Sequence, residues 1–464
     1  MSNLTQTTES TSHSSSPARR GNASTEPRAL RIASDLLTRL FHNFNGSLLL
    51  RLWNGATINV GGAIGREPNP TFALVFRNPR VVCEMVLGRD PLRLAEAYFR
   101  GDVDIEGDLF AAVSLKDNLQ SMGLSMTDRA RAAYGALQLK VLTKAWTSST
   151  VHHLPSKGQV VKEHSKAENR TAVQFHYDLS NAFYALWLDR AMVYSCAYFD
   201  EPDNDLDQAQ EAKLDHICRK LQLKPGDHFL DIGCGWGALV IHAAIHYGVL
   251  AHGVTLSQKQ LELARKRISD ANLGDRVTVE LQDYRDLKGD SVYEKIASIG
   301  MFEHVGLKNL PGYFSIVQRL LTPGGLFLNH GITSDVGGWE RTLSTEFINR
   351  YVFPDGQLDS VSSIQRHMES ARFEIADVES LRAHYAMTLR RWVERLECHH
   401  TDALQHVNES TYRVWRLYMA ACALEFESGE IGIYQVLATK RRSGPAPYPM
   451  TRRYLYGDSD RHCL

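Results

Sequence analysis

The pattern of apolar and polar positions changes near residue 171 of this 464-residue chain. Beyond that point, short apolar runs alternate with amphipathic segments of helical period. The apolar runs predict strands over 227–232, 249–255, 276–281, 295–300, 325–332, 373–379 and 431–440. The amphipathic segments predict helices over 207–222, 257–271, 310–321, 383–397 and 403–427. This alternation predicts an α/β fold with a doubly wound, mostly parallel, Rossmann-like sheet.

The first part of the chain predicts a smaller α+β unit. Two short strands are expected over 46–61, around the turn Asn54-Gly55, which is a strong hairpin signal. Residues 70–78 predict a further strand. Helical periods cover 29–44, the beginning of 91–115, and 125–146.

Local composition divides the chain into five parts. Residues 1–28 are rich in Ser and Thr and predict a disordered tail, and the polar, somewhat basic residues 147–170 predict a linker. These segments separate a small N-terminal domain (29–146) from a larger second domain (171–442). Residues 443–464 form a C-terminal tail.

Overall composition is that of an ordinary globular protein, with 43% apolar and 23% charged residues. The net charge of −1 gives no indication of a nucleic-acid partner. The seven cysteines include no CxxC pair and no metal-ligand spacing, so we expect reduced thiols in a cytoplasmic protein and no metal site. No apolar run approaches the roughly 18 residues of a membrane span.

The stretch 229–237, FLDIGCGWG, ends an apolar run with an acid and three glycines. Glycine at the end of a first strand lets the backbone turn sharply and approach a ligand closely. The spacing is neither G-x-G-x-x-G nor a P-loop, which disfavours a dinucleotide or a nucleoside triphosphate. It resembles motif I of S-adenosylmethionine-dependent methyltransferases, with Gly233, Gly235 and Gly237 facing the donor. The alternative is a glycine-rich turn of another Rossmann-like enzyme.

The next two strand ends extend this interpretation. The second strand ends without an acid for the ribose hydroxyls, so Thr255 or Gln260 would have to bind them. The third places Asp283, Tyr284 and Arg285 at the rim, where an aromatic ring beside a polar group suits an adenine. Tyr284 could also be an ordinary surface aromatic.

Several sequence segments together resemble the cyclopropane-fatty-acyl-phospholipid synthase family, which includes the mycolic acid cyclopropane synthases. They are FHYDLSNAFYALWLDRAMVYSCAYF (175–199), LDIGCGWG (230–237), GVTLS (253–257), QDYRDL (282–287), SIGMFEHVG (298–306), PGGLFLNHGI (323–332) and YVFPDGQL (351–358). The resemblance covers roughly 170–442 and is weaker over 29–115, which is similar to the family's small lipid-binding N-terminal domain.

The resemblance implies a class I methyltransferase fold with a helical lid insertion, which transfers a methylene group from S-adenosylmethionine to a cis double bond of an unsaturated phospholipid acyl chain. The positions that match contacts to the methyl donor are Tyr194, Ser195, Gly233, Gly235, Gly237, Thr255, Gln260, Tyr284, Arg285 and Ile299. The family also holds a bicarbonate ion. Its ligands correspond to Cys196, Glu303, His330, the backbone of Ile332, and Tyr385.

The expected chemistry explains these residue types. Methyl transfer to an alkene leaves a carbocation, and ring closure then requires a base in a site that excludes water. Nearby aromatic rings can stabilise the cation, although each could be an ordinary core residue. The candidates are Phe175, Tyr177, Phe183, Tyr194, Tyr313, Phe314, Phe347, Tyr351 and Phe353. Residues 339–358 are interpreted as part of a lid.

Each chemical candidate has a plainer interpretation. Cys196 could be a buried cysteine, His330 a structural histidine, and Glu303 a helix cap. At the level of function, a related enzyme could leave a methyl-branched or methylene product, the scaffold could be an inactive lipid-binding protein, or the acceptor could be a small molecule.

The acyl-chain substrate would require transient, peripheral contact with a membrane surface. The basic stretch 140–170 could attract anionic headgroups, and the helix 125–146 could lie at the interface. A solvated linker is the alternative for that stretch. The family resemblance also suggests a homodimer, for which the sequence itself gives no indication.

Overall fold

The computed structural model describes residues 26–41, 47–60, 71–87, 92–115, 126–143, 165–166, 168, 179–335, 337, 343–353 and 357–456. The predicted tail lies outside the described residues up to position 25, and so does nearly all of the predicted linker. Helix α1 begins at Glu26, so the prediction of a tail to residue 28 was too long by three residues.

A four-stranded sheet occupies the first part of the chain, in the order β2-β1-β3-β4. Its strands are β1 (Leu48–Arg51), β2 (Thr57–Val60), β3 (Phe72–Phe76) and β4 (Val103–Gly107). The predicted hairpin is confirmed, since β1 pairs antiparallel with β2 and Gly55 takes a φ of +86° in the turn. Strand β4 was not predicted because its short, acidic sequence has little apolar character.

Five helices of the described residues surround this sheet: α1 (Glu26–Leu40), α2 (Arg80–Leu87), α3 (Arg93–Phe99), α4 (Leu109–Val113) and α5 (Met126–Leu142). Helix α5 packs against α1 at Gly135, where an added Cβ would lie 3.2 Å from Leu36 Cδ2. The sheet and helices share one core, which includes Leu37, Phe41 and Phe76.

The larger sheet has seven strands in the order β10-β11-β9-β8-β5-β6-β7. They are β5 (His228–Ile232), β6 (Leu250–Thr255), β7 (Val277–Leu281), β8 (Tyr293–Ile299), β9 (Leu321–Ser334), β10 (Phe373–Ser380) and β11 (Ile431–Lys440). The five strands β5 to β9 pair in parallel, whereas β11 is antiparallel to both β9 and β10. The predicted doubly wound, mostly parallel sheet is confirmed.

Helices cover both faces of this sheet, because alternate residues of each buried strand point to opposite sides. One face packs under α7 (Leu206–Lys220), α8 (Ala238–Tyr247) and α9 (Gln258–Asp270), and the other under α10 (Leu310–Leu320) and α12 (Val361–Ser370). Phe229 and Leu328 belong to the first face, and Leu230 and Phe327 to the second.

A third layer lies over the carboxyl ends of the strands. It contains α6 (Asn181–Ala185), α11 (Leu343–Tyr351), α13 (Arg382–Cys398), α14 (His400–Ala403) and α15 (Glu409–Ser428). The helix predicted over 403–427 is α15, which begins later, at Glu409, where the Asn408 side chain caps it by accepting from Thr411 N–H at 2.8 Å. The core of this helical layer is aromatic, with Trp187 packed against Trp392 at 5.5 Å between ring centroids.

The small sheet is fixed to this helical layer by polar contacts as well as packing. Tyr351 O–H donates to Glu96 Oε1 at 2.8 Å, and Arg413 Nη1 donates to the carbonyl of Tyr98 at 3.0 Å. Arg390 stacks over the ring of Phe110 at 4.0 Å. The layer that covers the large sheet is thereby held from its outer side.

Candidate active site

The glycine loop follows β5 in the conformation that its sequence requires. Gly233, Gly235 and Gly237 have φ values of +85°, +54° and +82°, which are unfavourable for other residues. The N–H groups of Gly233 and Cys234 both donate to the carbonyl of Val254 on β6, at 2.9 and 3.0 Å. An added Cβ on Gly235 would meet no atom within 4 Å, so the loop leaves open space for a ligand.

A cavity lies beside this loop at the carboxyl ends of the parallel strands, where ligands bind in open α/β sheets. Nine of the ten residues predicted to contact the methyl donor line it: Tyr194, Ser195, Gly233, Gly235, Thr255, Gln260, Tyr284, Arg285 and Ile299. Gly237 does not. It precedes α8, and a Cβ there would lie 3.2 Å from Ala264 Cβ, so this glycine permits close helix packing. We call this space the donor cavity.

The predicted ribose and adenine positions lie side by side in the donor cavity. Thr255 Oγ1 donates to Gln260 Oε1 at 2.7 Å, and both side chains are buried. Arg285 forms two hydrogen bonds to Asp283, at 2.8 and 2.6 Å. Tyr284 is buried, with its ring edge-on to Tyr313 at 5.4 Å. The alternative interpretation of Tyr284 as an ordinary surface aromatic does not fit this buried position.

Two ionisable residues of the donor cavity were not predicted. Asp231 is the last but one residue of β5 and lies on the face that α7 covers, and Lys213 approaches from α7. Both are buried, and Asp231 Oδ1 has no hydrogen-bond partner among the described residues. Burial raises the pKa of Asp231 to about 7, against the attraction of Lys213. Burial likewise lowers the pKa of Lys213 to about 8, although nearby acids, first Asp189, oppose this.

The irregular segment 189–197 carries three predicted site residues and is held both by its own Asp189 and by helix α7. The Asp189 carboxylate accepts from Ala191 N–H at 2.7 Å and from Val193 N–H at 2.8 Å. Helix α7 holds Ser195 twice, because Gln210 Nε2 donates to its carbonyl at 2.9 Å and Lys213 Nζ to its Oγ at 3.0 Å. These contacts fix the wall of the donor cavity.

A second cavity adjoins the donor cavity and shares Tyr194, Ser195 and Ile299 with it. All five residues of the predicted bicarbonate set line it: Cys196, Glu303, His330, Ile332 and Tyr385. The rest of its wall is mostly apolar and comes largely from the helical layer and β11, with Ile348, Phe353, Leu389, Tyr418, Phe426 and Ile433. We call this space the acceptor cavity.

Glu303 and His330 bring buried polar atoms into the acceptor cavity. Glu303 Oε1 accepts from the backbone N–H of Ile332 at 2.8 Å, so that N–H, which was expected to face an anion, orients Glu303. Burial raises the pKa of Glu303. Burial lowers the pKa of His330 well below its usual value, so the ring is neutral. Glu303 Oε2 and His330 Nε2 have no hydrogen-bond partner in the described part of the chain.

The position of the His330 proton follows from its neighbour on β11. His330 Nδ1 lies 3.4 Å from the side-chain amide of Gln435, and with the amide nitrogen facing the ring, Nδ1 accepts and the ring proton is assigned to Nε2. Cys196 is fully buried, and burial raises the pKa of its thiol. Its Sγ lies 3.2 Å from the carbonyl of Ala197, and it stays a neutral thiol.

The predicted aromatic wall is smaller than the sequence suggested. Tyr194 and Phe353 line the acceptor cavity. Five others are buried in the hydrophobic cores and line neither cavity: Phe183, Tyr313, Phe314, Phe347 and Tyr351. Phe175 and Tyr177 lie outside the described residues. Part of the predicted lid reaches the cavity, since Ile348 and Phe353 line it.

The sheet order, the glycine loop and the donor cavity together define a class I S-adenosylmethionine-dependent methyltransferase. The model of the mycolic acid cyclopropane synthetase family matches residues 164–436. The chain belongs to this family, as its sequence motifs predicted.

Individual relatives extend over different parts of the chain. A probable fatty acid methyltransferase of Pseudomonas putida is 40% identical over 412 residues, which cover 88% of this chain and 96% of that protein. The cyclopropane-fatty-acyl-phospholipid synthase of Escherichia coli (strain K12) is 42% identical over 266 residues, 57% of this chain and 66% of that protein. The crystal structure of mycolic acid cyclopropane synthase CmaA1 complexed with SAH and CTAB covers 58% of this chain and 98% of that chain, with 35% identity and a TM-score of 0.55.

Two kinds of feature are not found in the described part of the chain. No helix there combines the length and the apolar character that crossing a membrane requires. No group of three or more His, Cys, Asp or Glu side chains among those residues is arranged to hold a metal ion.

Proposed function

We propose that this protein transfers a methylene group from S-adenosylmethionine to the cis double bond of an unsaturated phospholipid acyl chain and closes a cyclopropane ring. The observation that carries the proposal is the pair of adjoining cavities, which share Tyr194, Ser195 and Ile299. One has the polar groups for a donor, and the other is mostly apolar. A donor and an alkene would meet at this shared wall, which solves the positioning problem of a weak nucleophile.

The donor cavity offers groups for each part of S-adenosylmethionine. Thr255 and Gln260 would bind the ribose, and Tyr284 with Arg285 the adenine, as the sequence suggested. Lys213 and Asp231 supply opposite charges in a buried site, which suits the carboxylate and ammonium groups of an amino acid. Gly235 leaves the open space that the donor would fill.

The acceptor cavity fits bicarbonate. Its polar atoms without partners, Glu303 Oε2 and His330 Nε2, are an acceptor and a donor in one cavity. A small oxyanion with one hydroxyl can satisfy both, because His330 would donate to an oxygen and Glu303 would accept the hydroxyl proton. Tyr385 and Cys196 line the same space and could donate further.

The chain's own residues would perform four tasks. When bound, the donor supplies an electrophilic methyl group and bicarbonate supplies a base. The apolar wall excludes water, which would otherwise capture a cation on the acyl chain. The rings of Tyr194, Tyr385 and Tyr418 would stabilise that cation. Cys196 remains a thiol, so it does not compete as a nucleophile. Glu303, oriented by Ile332 N–H, would hold the anion in position.

The N-terminal unit would act as a lipid-binding module, with residues 29–146 and 171–442 as two functional domains. Its contacts to the helical layer support this proposal, because α11 and α15 both touch it and both line the acceptor cavity. The protein would work at a membrane surface without spanning it.

A second product class is favoured by one observation. The Pseudomonas putida relative, which is similar over 96% of its length, is a probable fatty acid methyltransferase. An enzyme that left a methyl-branched or methylene product would use the same two cavities, because the cation is common to both reactions and only its fate differs.

The test uses purified protein, methyl-labelled S-adenosylmethionine and vesicles of a monounsaturated phospholipid, in buffer with and without bicarbonate. We expect a labelled product that resists catalytic hydrogenation and whose formation rises with bicarbonate. Glu303→Gln should bind the donor within about twofold of the wild type and lose about 99% of turnover, since it removes the acceptor of the hydroxyl proton. Wild-type turnover in Glu303→Gln would exclude the bicarbonate assignment.

A further inference from the structure

Helix α5 carries apolar side chains on two opposite faces. Ala132, Ala136 and Leu139 are buried against the N-terminal unit. On the opposite side, Tyr134 is 66% exposed, Leu137 53% and Val141 65%. Because the helix advances about 100° per residue, these three side chains lie within one narrow sector. We call it the exposed apolar stripe.

This arrangement is unusual within the molecule. No other helix or strand of the described residues carries more than one exposed large apolar side chain; Ile245 on α8 and Leu87 at the end of α2 are examples. Scattered apolar residues are normal on a protein surface and need no explanation. Three that share one face of one helix point to a ligand surface.

The charges beside the stripe have one sign. Arg129 and Lys140 lie on one side of it and Arg131 on the other, and all three are exposed. The acid of this helix, Asp128, is turned away from the stripe and lies 3.8 Å from Arg39 and 3.9 Å from Arg131. The surface therefore combines an apolar centre with cationic margins, although the whole chain has a net charge of −1.

The stripe is presented by a helix that is already folded and docked. Gly135 lets α5 approach α1 closely, and the Thr143 side chain donates to the carbonyl of Leu139 at 2.8 Å near its end. No ordering of the helix is required on binding, which favours association.

We propose that the exposed apolar stripe docks the protein on the surface of an anionic phospholipid bilayer. Tyr134, Leu137 and Val141 would enter the boundary between headgroups and acyl chains, while the flanking cations contact lipid phosphates. The proposal rests on the proposed function, because an acyl-chain enzyme must reach its substrate in a bilayer. It assigns that task to one face of one helix.

A second copy of the chain fits this face less well. A symmetric contact would bring two identical basic surfaces together, and like charges repel. Three side chains also present much less area than the roughly 800 Å² per partner of a stable interface. Anionic headgroups complement both the charge and the narrow width of the stripe.

The test is co-sedimentation of the full chain with phosphatidylcholine vesicles that contain or lack phosphatidylglycerol. We expect binding that increases with phosphatidylglycerol and decreases with salt. The triple variant Tyr134→Ser, Leu137→Ser, Val141→Ser should partition at least about tenfold less. The single variants Arg129→Gln and Lys140→Gln should each lower vesicle binding about fivefold in dilute salt. Ile245→Ser, a matched exposed apolar residue on α8, should have no effect.

Donor affinity, measured by isothermal titration, should be the same in all variants, which shows that they are folded. Equal vesicle binding by the triple variant and the wild type would overturn the proposal, and so would absence of binding by the wild type. A dimer that the triple variant abolishes while vesicle binding persists would assign the stripe to a second copy. If the stripe mediates vesicle binding but no lipid product forms, the proposed function fails and the docking surface stands.

Discussion

Replacement of Lys213 by methionine would remove a buried ammonium group from the wall of the donor cavity. Lys213 is 1% exposed, forms no ion pair with a described residue, and donates to Ser195 Oγ at 3.0 Å. Methionine has a similar length and no charge. The substitution therefore separates the effect of the charge from the effect of filling the space.

The magnitude follows from the lowered pKa. A fall from 10.5 to about 8 means that holding the charged form in the fold costs about 3 kcal/mol near neutral pH. This cost is fully present below about pH 8 and disappears as the pH rises toward the unfolded-state value of 10.5. Against it stands the loss of one hydrogen bond, about 1 kcal/mol. We expect Lys213→Met to stabilise the protein by about 1 to 2 kcal/mol.

Donor binding should change in the opposite direction. Without Lys213, Ser195 loses its hydrogen bond and the pKa of Asp231 rises further, because Lys213 is the group that lowers it. Both changes weaken the polar side of the donor cavity. We expect S-adenosylmethionine affinity to fall at least about tenfold, the equivalent of about 1.4 kcal/mol.

Lys220 provides a matched comparison on the same helix. It is equally buried but pairs with Glu379 at 2.5 Å and with Asp377 at 3.4 Å. Lys220→Met would leave the partly buried carboxylates of Glu379 and Asp377 with less compensating charge and should destabilise the protein by about 3 kcal/mol. Urea unfolding at pH values of about 7 and 10 measures both stabilities, and isothermal titration measures donor affinity. A Lys213→Met protein that is destabilised by several kcal/mol and binds the donor normally would show that the buried charge of Lys213 neither costs stability nor serves donor binding.

Further predictions concern the glycine loop and acid stability. Gly235→Ala should lower donor affinity, because its Cβ would enter the donor cavity, and should lower the free energy of unfolding by only about 1 kcal/mol for the unfavourable φ of +54°. Gly237→Ala should cost more stability, because its Cβ would contact Ala264. Isothermal titration and urea unfolding distinguish the two variants, and the reverse order would contradict the assignment. Burial alone would raise the pKa of Glu379, but the hydrogen bond from His216 and the charge of Lys220 lower it to about 2. The lowered pKa of Glu379 contributes about 3 kcal/mol to the free energy of unfolding, which is fully present above pH 4.5 and should be lost as the pH falls toward 2. The stability difference between wild type and Glu379→Gln should therefore shrink in acid. A difference that stays constant with pH would contradict this role of Glu379.

The large sheet could be located from the sequence because its strands are continuous apolar runs between amphipathic helices. Most of the predicted strands agree with the structure to within one or two residues, and β9 is longer at both ends, Leu321–Ser334. The glycine loop could also be predicted from the sequence, because the positive φ values of its backbone disfavour residues other than glycine. Strand β4 lacked such a signal, because its stability comes from pairing with β3.

Lys213 and Asp231 show what local patterns do not convey. Their proximity depends on the packing of α7 over β5, which no spacing in the sequence expresses. A weaker signal was present, because Gln210, Lys213 and Lys220 occupy positions of apolar period in the helix predicted over 207–222. Polar residues on the buried side of a helix indicate either a paired charge, as at Lys220, or a site, as at Lys213.

The role of Ile332 was also beyond the sequence. Its N–H was expected to face an anion, yet it donates to Glu303, because the turn after β8 brings that carboxylate against β9. The two-cavity arrangement likewise depends on α11, α13 and α15 closing over the sheet, which local periodicity cannot specify.

The most direct test of the account is a lipid profile of cells that express this chain and are supplied with methyl-deuterated methionine. Ring closure by this enzyme predicts a labelled one-carbon addition on monounsaturated phospholipid chains that hydrogenation leaves unchanged, with two of the donor's three deuterium atoms retained in the ring. A labelled product that hydrogenation reduces, or that carries a methyl branch, would contradict ring closure. Complete absence of labelled lipid would contradict an acyl-chain acceptor.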